Sequence, residues 1–160
     1  PARRTLALRA LSAMPIWKQA ADPDTVNGWS ARTLMRAIDI RITEIGDDFV
    51  RGTLPVDDRT RQPYGILHGG ASVALAETLG STAAMLCCED GFAAVGLDIN
   101  ANHARAVREG IVTGTARPIH VGRSTQVWEI RIENAAGELT CIARLTVAVV
   151  PRRAVAAKPA

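Results

Sequence analysis

Glu77 is the only acidic residue between Pro63 and Cys88, in a stretch dominated by Gly, Ala, Ser, Thr and apolar side chains. A carboxylate there can serve as a nucleophile or as a general base on water. Ser81, four residues on, falls on the same helical face and can hydrogen-bond it. Gly70, Ala74 and Ala84 share that face, and small residues let a helix approach a sheet closely. An acid so placed risks burial, which is costly without a partner, so a fold keeps it where it has work to do. The competing reading is the ordinary one for a lone helical Glu: it faces solvent, or is a hydrogen-bonded core acid.

His68-Gly69-Gly70 stands where the same helix should begin. The first backbone N–H groups of a helix have no intrahelical acceptor, and the helix dipole favours negative charge at that end. Glycine lets another molecule come close. A carbonyl oxygen docked on the Gly69 N–H would be stabilised as it becomes an oxyanion, by about 3 kcal/mol per donor. Taken singly, His68 reads as a turn histidine, Gln62 as a loop residue, and the glycine pair as a turn signal. His103 and His120 follow apolar strands and, alone, read as structural. Three histidines without Cys or carboxylate at ligand spacing make no metal site. The sequence has no G-x-S-x-G elbow and no phosphate-binding glycine loop with Lys.

The element that must carry this chemistry is a long helix predicted from Gly69 to Cys88, stopped at Gly91. Before it, Thr5 to Ala13 predicts a helix with Leu6, Ala10 and Ala13 on one face, and Pro15 to Ser30 reads as a connector. Residues 1–30 are thus expected to form a helix and connector ahead of a domain spanning 31–150. Thr33 to Ala37 suggests a short helix. Ile38, Ile40, Ile42 and Ile45 approximate strand alternation up to Gly46, and Phe49 to Pro55 completes a hairpin. After the helix every segment reads as strand: Val95, Leu97, Ile99 and Ala101 alternate, then Ile111 to Val121, Val127 to Glu133, a turn at 134–137, and Leu139 to Val150. Residues 151–160 read as a flexible tail. One helix and about six strands can share a core only if the sheet curls around the helix, an α+β arrangement.

Composition bounds the rest. With 48% apolar and 22% charged residues, the chain reads as a soluble globular protein. Three Trp, two Phe and one Tyr are too few for stacking platforms, and a net charge of +3 spread along the chain does not suggest nucleic acid. Gly65, Gly69, Gly70, Gly80 and Glu77 interrupt the longest uncharged run, against a membrane span. Without a secretory leader in view, a cytoplasmic location is expected, with Cys87, Cys88 and Cys141 reduced and buried.

The string Gln62-Pro-Tyr-Gly-Ile-Leu-His68-Gly-Gly-Ala-Ser-Val-Ala-Leu-Ala-Glu77-Thr-Leu-Gly-Ser81 resembles the signature of the hot-dog acyl-CoA thioesterases of the 4-hydroxybenzoyl-CoA (Arthrobacter-type) and phenylacetate-pathway clan. Within that clan it is most similar to the 1,4-dihydroxy-2-naphthoyl-CoA hydrolase branch and its enterobactin-pathway paralogue. Further matches are Val95 to His103, Arg108-Glu-Gly110, Pro118 to Gly122 and Gln126 to Ile130, so the likeness covers about residues 31–150. It implies a hot-dog fold, a long central helix wrapped by a curved antiparallel sheet. It implies hydrolysis of an aryl- or medium-chain acyl-CoA, with Glu77 as nucleophile or general base, Gly69 binding the thioester carbonyl assisted by His68, Gln62 orienting water and Ser81 bonding Glu77. CoA would lie along Gly96, along His103, Ala104, Arg105 and Ala106, and along His120, Val121, Gly122, Arg123, Ser124 and Thr125, with Arg105 and Arg123 suited to its phosphates. Ala106 stands where the family has a hydroxyl, and Arg123-Ser124 is in reversed order. The family implies no cofactor beyond the CoA of the substrate, and a homodimer, usually doubled to a homotetramer, in which Gln62 and Gly69 meet Glu77 and Ser81 of another subunit. The alternatives are a hot-dog enoyl-CoA hydratase and a non-catalytic acyl-CoA sensor.

Overall fold

A computed structural model describes residues 15–154 of the chain; the helix expected at 5–13 and the last six residues lie outside that range. Two short helices, α1 (Pro23–Gly28) and α2 (Leu34–Ala37), precede a hairpin of β1 (Arg41–Ile45) and β2 (Val50–Pro55). The long helix α3 (Gly69–Leu86) follows, then β3 (Phe92–His103), β4 (Ile111–Val121), β5 (Thr125–Glu133) and β6 (Leu139–Pro151). All six strands form one antiparallel sheet in the order β1-β2-β4-β5-β6-β3. The sheet curls around α3, which touches β2 through β6, and this is the hot-dog arrangement.

Close approach of helix to sheet has a specific cause. Leu79 on α3 enters a dent made by Gly52 and Gly114, which are register partners on β2 and β4. A methyl group added at Gly114 would stand 2.5 Å from the Leu79 side chain, so only glycine leaves room. On the helix itself Gly80 makes room for Leu145 in the same way. Leu75, Leu79, Ala83 and Ala84 are fully buried against Trp128, Ile130, Leu145 and Val147, which with Val50, Leu54 and Val112 make an aliphatic core around one tryptophan.

Two bulges set which side chains face that core. On β1 Thr43 is the extra residue, because Ile42 pairs with Gly52 and Glu44 with Arg51. This explains why Ile42 and Ile45, three apart, both face inward. On β3 the extra residue is Leu97, between the pairs Gly96–Val147 and Asp98–Thr146. The single alternation Val95, Leu97, Ile99, Ala101 therefore does not hold. Ala94 and Gly96 face inward before the bulge and Ile99 and Ala101 after it, while Val95 and Leu97 are exposed.

Residues 15–30 are more than a connector. Besides α1, capped by the Asp22 carboxylate accepting from the Thr25 N–H, they include a strap held across the C-terminal end of α3. The Lys18 and Gln19 N–H groups both donate to the Leu86 carbonyl, and Gln19 Nε2 donates to the Cys88 carbonyl. Trp17 stacks on Trp128, ring centroids 6.3 Å apart, and its indole N–H donates to Gly46 O. At the other end, Pro151 closes β6 and the Arg152 N–H donates to Gly91 O, so ordered chain runs past the expected start of the tail.

Candidate active site

Glu77 is half-buried on the flank of α3 facing β3. Its Oε1 accepts a hydrogen bond of 3.0 Å from the Ser81 hydroxyl, one turn on. The same oxygen lies against Gly96, where even a methyl group would collide with it. The β3 bulge makes this contact, since it brings Gly96 to the inner face. The expected i, i+4 pair forms, and Gly96, expected along the path of CoA, stands beside it.

The start of α3 forms a second group. His68 is the N-cap residue, and its Nδ1 accepts from the Gly70 N–H at 2.8 Å. The His68 carbonyl accepts from the Ala71 and Ser72 N–H groups. Among the described residues, Gly69 is left as the helix N–H without an acceptor, the condition for binding a ligand oxygen. Because Nδ1 is occupied as an acceptor, a neutral His68 carries its proton on Nε2. His103, next in the inward series Ile99, Ala101, His103, packs over Gly69: a methyl group there would stand 2.9 Å from its Nε2.

Gln62, Gly69, His103, Ala104, Arg105 and Ala106 line one cavity of about 270 Å³. The Ala104 and Arg105 N–H groups hold the loop by donating to the Thr140 carbonyl. Arg105 faces Glu138 at 3.4 Å; both are about half exposed, so the pair is weak enough for a ligand anion to exchange. Ser72 and Thr140 also line the cavity and were not singled out by sequence. Ser72 sits one turn from Gly69, a usable signal; Thr140 is brought there only by the sheet.

A third group lies at the far end of α3. His120 to Thr125 span the end of β4, the turn at 122–124 and the start of β5, closed by the Gly122 N–H donating to Thr125 O at 3.0 Å. Gly122 and Arg123 border a cavity beside Cys87 and Cys88. Burial pushes the Cys87 thiol up to about 11, and raises Cys88 and Cys141 as well. Thiolates are scarce under such conditions, so these buried cysteines are poor nucleophiles. The expected site residues thus fall into three clusters, and the first two do not meet within one chain. Glu77 follows Gly69 by eight positions, about 12 Å along a helix.

Among the described residues no three His, Cys, Asp or Glu side chains come together as metal ligands, and no helix is long and apolar enough to cross a membrane.

Residues 64–141, which hold the Gly69 N–H and the Glu77–Ser81 pair, match the model of the thioesterase superfamily. The chain is also 48% identical to the 1,4-dihydroxy-2-naphthoyl-CoA hydrolase of Escherichia coli, over 84% of this chain and 98% of that protein. The chain belongs to the thioesterase superfamily. This thioesterase superposes on the structure of a Haemophilus influenzae thioesterase with a TM-score of 0.83 at 48% identity, covering 85% of this chain and 95% of that one. A Staphylococcus aureus thioesterase, solved as a Gln-to-Ala variant, gives a TM-score of 0.71 at 40% identity, covering 74% of this chain and 98% of that one. The same S. aureus protein has been solved with a Glu-to-Ala change. Its two altered residues stand fifteen apart in sequence, the spacing of Gln62 and Glu77 in this thioesterase.

Proposed function

We propose that this thioesterase hydrolyses aryl- or medium-chain acyl-CoA esters, 1,4-dihydroxy-2-naphthoyl-CoA among them, to the free acid and CoA. The observation that carries this is the pairing of a Ser81-held carboxylate with an unsatisfied Gly69 N–H elsewhere on the same helix. Reacting atoms must come within about 3–3.5 Å, so the roughly 12 Å between Gly69 and Glu77 calls for Gln62 and Gly69 of one subunit to face Glu77 and Ser81 of another. The free edge of β3, with Val95 37% and Leu97 64% exposed, supports such a pairing. The active unit is then a homodimer, two of which make a tetramer, working in the cytoplasm where CoA esters are found.

In this reading the thioester carbonyl oxygen accepts from the Gly69 N–H, and the His68 Nε2–H supports the same end of the helix. The Glu77 carboxylate either attacks the carbonyl carbon, releasing CoA thiolate and leaving an acyl-enzyme anhydride for water to cleave, or takes a proton from the water that attacks. Gln62 orients that water, and Ser81 holds the carboxylate oxygen not used. CoA runs past Gly96, over His103, Ala104, Arg105 and Ala106 of one subunit, and on to His120, Val121, Gly122, Arg123, Ser124 and Thr125 of another, because these two groups stand at opposite ends of α3 within a chain; Arg105 and Arg123 then meet its phosphates. No cofactor takes part.

Thiol release measured across a panel of acyl-CoAs tests activity and ranks substrates together. Glu77→Ala should lower turnover by about 10²- to 10⁴-fold while CoA-ester binding persists. Near-normal hydrolysis by that variant would sink the assignment, and hydration of an enoyl-CoA without free thiol would favour a hydratase.

A further inference from the structure

The cavity at the C-terminal end of α3 encloses about 200 Å³ and carries two cations on its rim, Lys18 and Arg123, from distant parts of the chain. Phe92 and Val149 supply apolar wall, and Gln126 borders it too. The Gln126 amide is spent internally: Nε2 donates to the Ala84 carbonyl and Oε1 accepts from the Trp128 indole. The polar groups left to meet a ligand are those of the rim. Arg123 forms no ion pair among the described residues. Among the described residues Lys18 pairs with Glu89 alone, and with the two side chains 46% and 68% exposed the contact contributes little and exchanges readily.

The position of Lys18 is built. The Trp17–Trp128 stack pins the residue before it, and the N–H groups of Lys18 and Gln19 are fixed on the Leu86 carbonyl. These bonds also change the electrostatics. The C-terminal end of a helix carries partial negative charge that repels an anion. Here two strap N–H groups and the Gln19 amide occupy the Leu86 and Cys88 carbonyls, and Lys18 adds a full positive charge.

The geometry points to Lys18 as a further substrate-binding residue, which with Arg123 holds the phosphate-bearing nucleotide end of the CoA moiety at the C-terminal end of α3. Glu89 keeps the ammonium in place until a phosphate displaces it, and Phe92 and Val149 offer the adenine an apolar surface. This rests on the acyl-CoA reading above, in which the segment His120 to Thr125 lies on the path of CoA.

The test compares the CoA ester and the pantetheine ester of one acyl group, the second lacking the nucleotide. Lys18→Ala should raise KM for the CoA ester about tenfold, the loss of one charge-assisted contact, and leave KM for the pantetheine ester where it was. Lys18→Arg should restore the CoA-ester KM. A Lys18→Ala variant that shifts both esters alike has lost only structure, and one that shifts neither shows no contact; either result overturns the assignment. Wild-type enzyme that cleaves neither ester would instead overturn the acyl-CoA reading itself.

Discussion

The Ser81 hydroxyl donates to Glu77 Oε1 across one turn of α3, and that same oxygen abuts the bare backbone of Gly96. The carboxylate is therefore held from two sides. Ser81→Ala removes one of them without opening a large void. The expected outcome is a fall in kcat of about tenfold, the scale of one hydrogen bond to a charged group, with KM little changed; steady-state kinetics on the best acyl-CoA of the panel reads it.

Gly69→Ala keeps the N–H and adds a methyl group 2.9 Å from His103 Nε2. Either the ring or the helix start must shift. A displacement near 1 Å in a positioned donor costs up to about 10²-fold in rate. The loss should appear in kcat/KM with the thermal midpoint nearly unchanged, which separates it from a folding defect.

His68→Ala removes the side-chain acceptor of the Gly70 N–H. Loss of an N-cap costs about 1 kcal/mol, a drop in Tm of roughly 2–4 °C for a chain of this size. Differential scanning calorimetry measures it, and Asn at the same position should recover most of the loss.

Gly114→Val forces a side chain into the space of Leu79, and Gly52 opposite it leaves no room for retreat. Overpacking of this kind costs about 1–3 kcal/mol. Urea denaturation should show a lower midpoint with an unchanged m-value.

Burial raises the Cys87 thiol to about 11 from an ordinary 9.0, so the folded state holds this proton more tightly than the unfolded one. The resulting stability is complete below pH 9 and is lost as pH rises toward 11. Tm should fall across that window, and by less in Cys87→Ala.

Much of this was legible in the sequence because it is local. The Glu77–Ser81 pair and the helix start at Gly69 follow from helical periodicity and from which residues tolerate a helix end. The phase of β3 was not legible, because the bulge at Leu97 is set by pairing with β6 and leaves no mark on a pattern of alternating apolar residues. The strap at 15–19 was hidden for a related reason: Trp17 looks like a loop residue until Trp128 and Gly46, remote in sequence, come beside it. The separation of Gly69 from Glu77 needs only the helix rise, and the proposed pairing of two subunits is built on it.

That separation has a consequence for mixtures. A rigid helix cannot fold Gly69 onto Glu77, so in the proposed dimer each centre draws its halves from different chains. A chain damaged at Glu77 and a chain damaged at Gln62, each inactive alone, should regain activity when unfolded and refolded together. The mixed pair contains one centre assembled from two undamaged halves and one from two damaged halves, so a loss in one gene copy is complemented by a different loss in another.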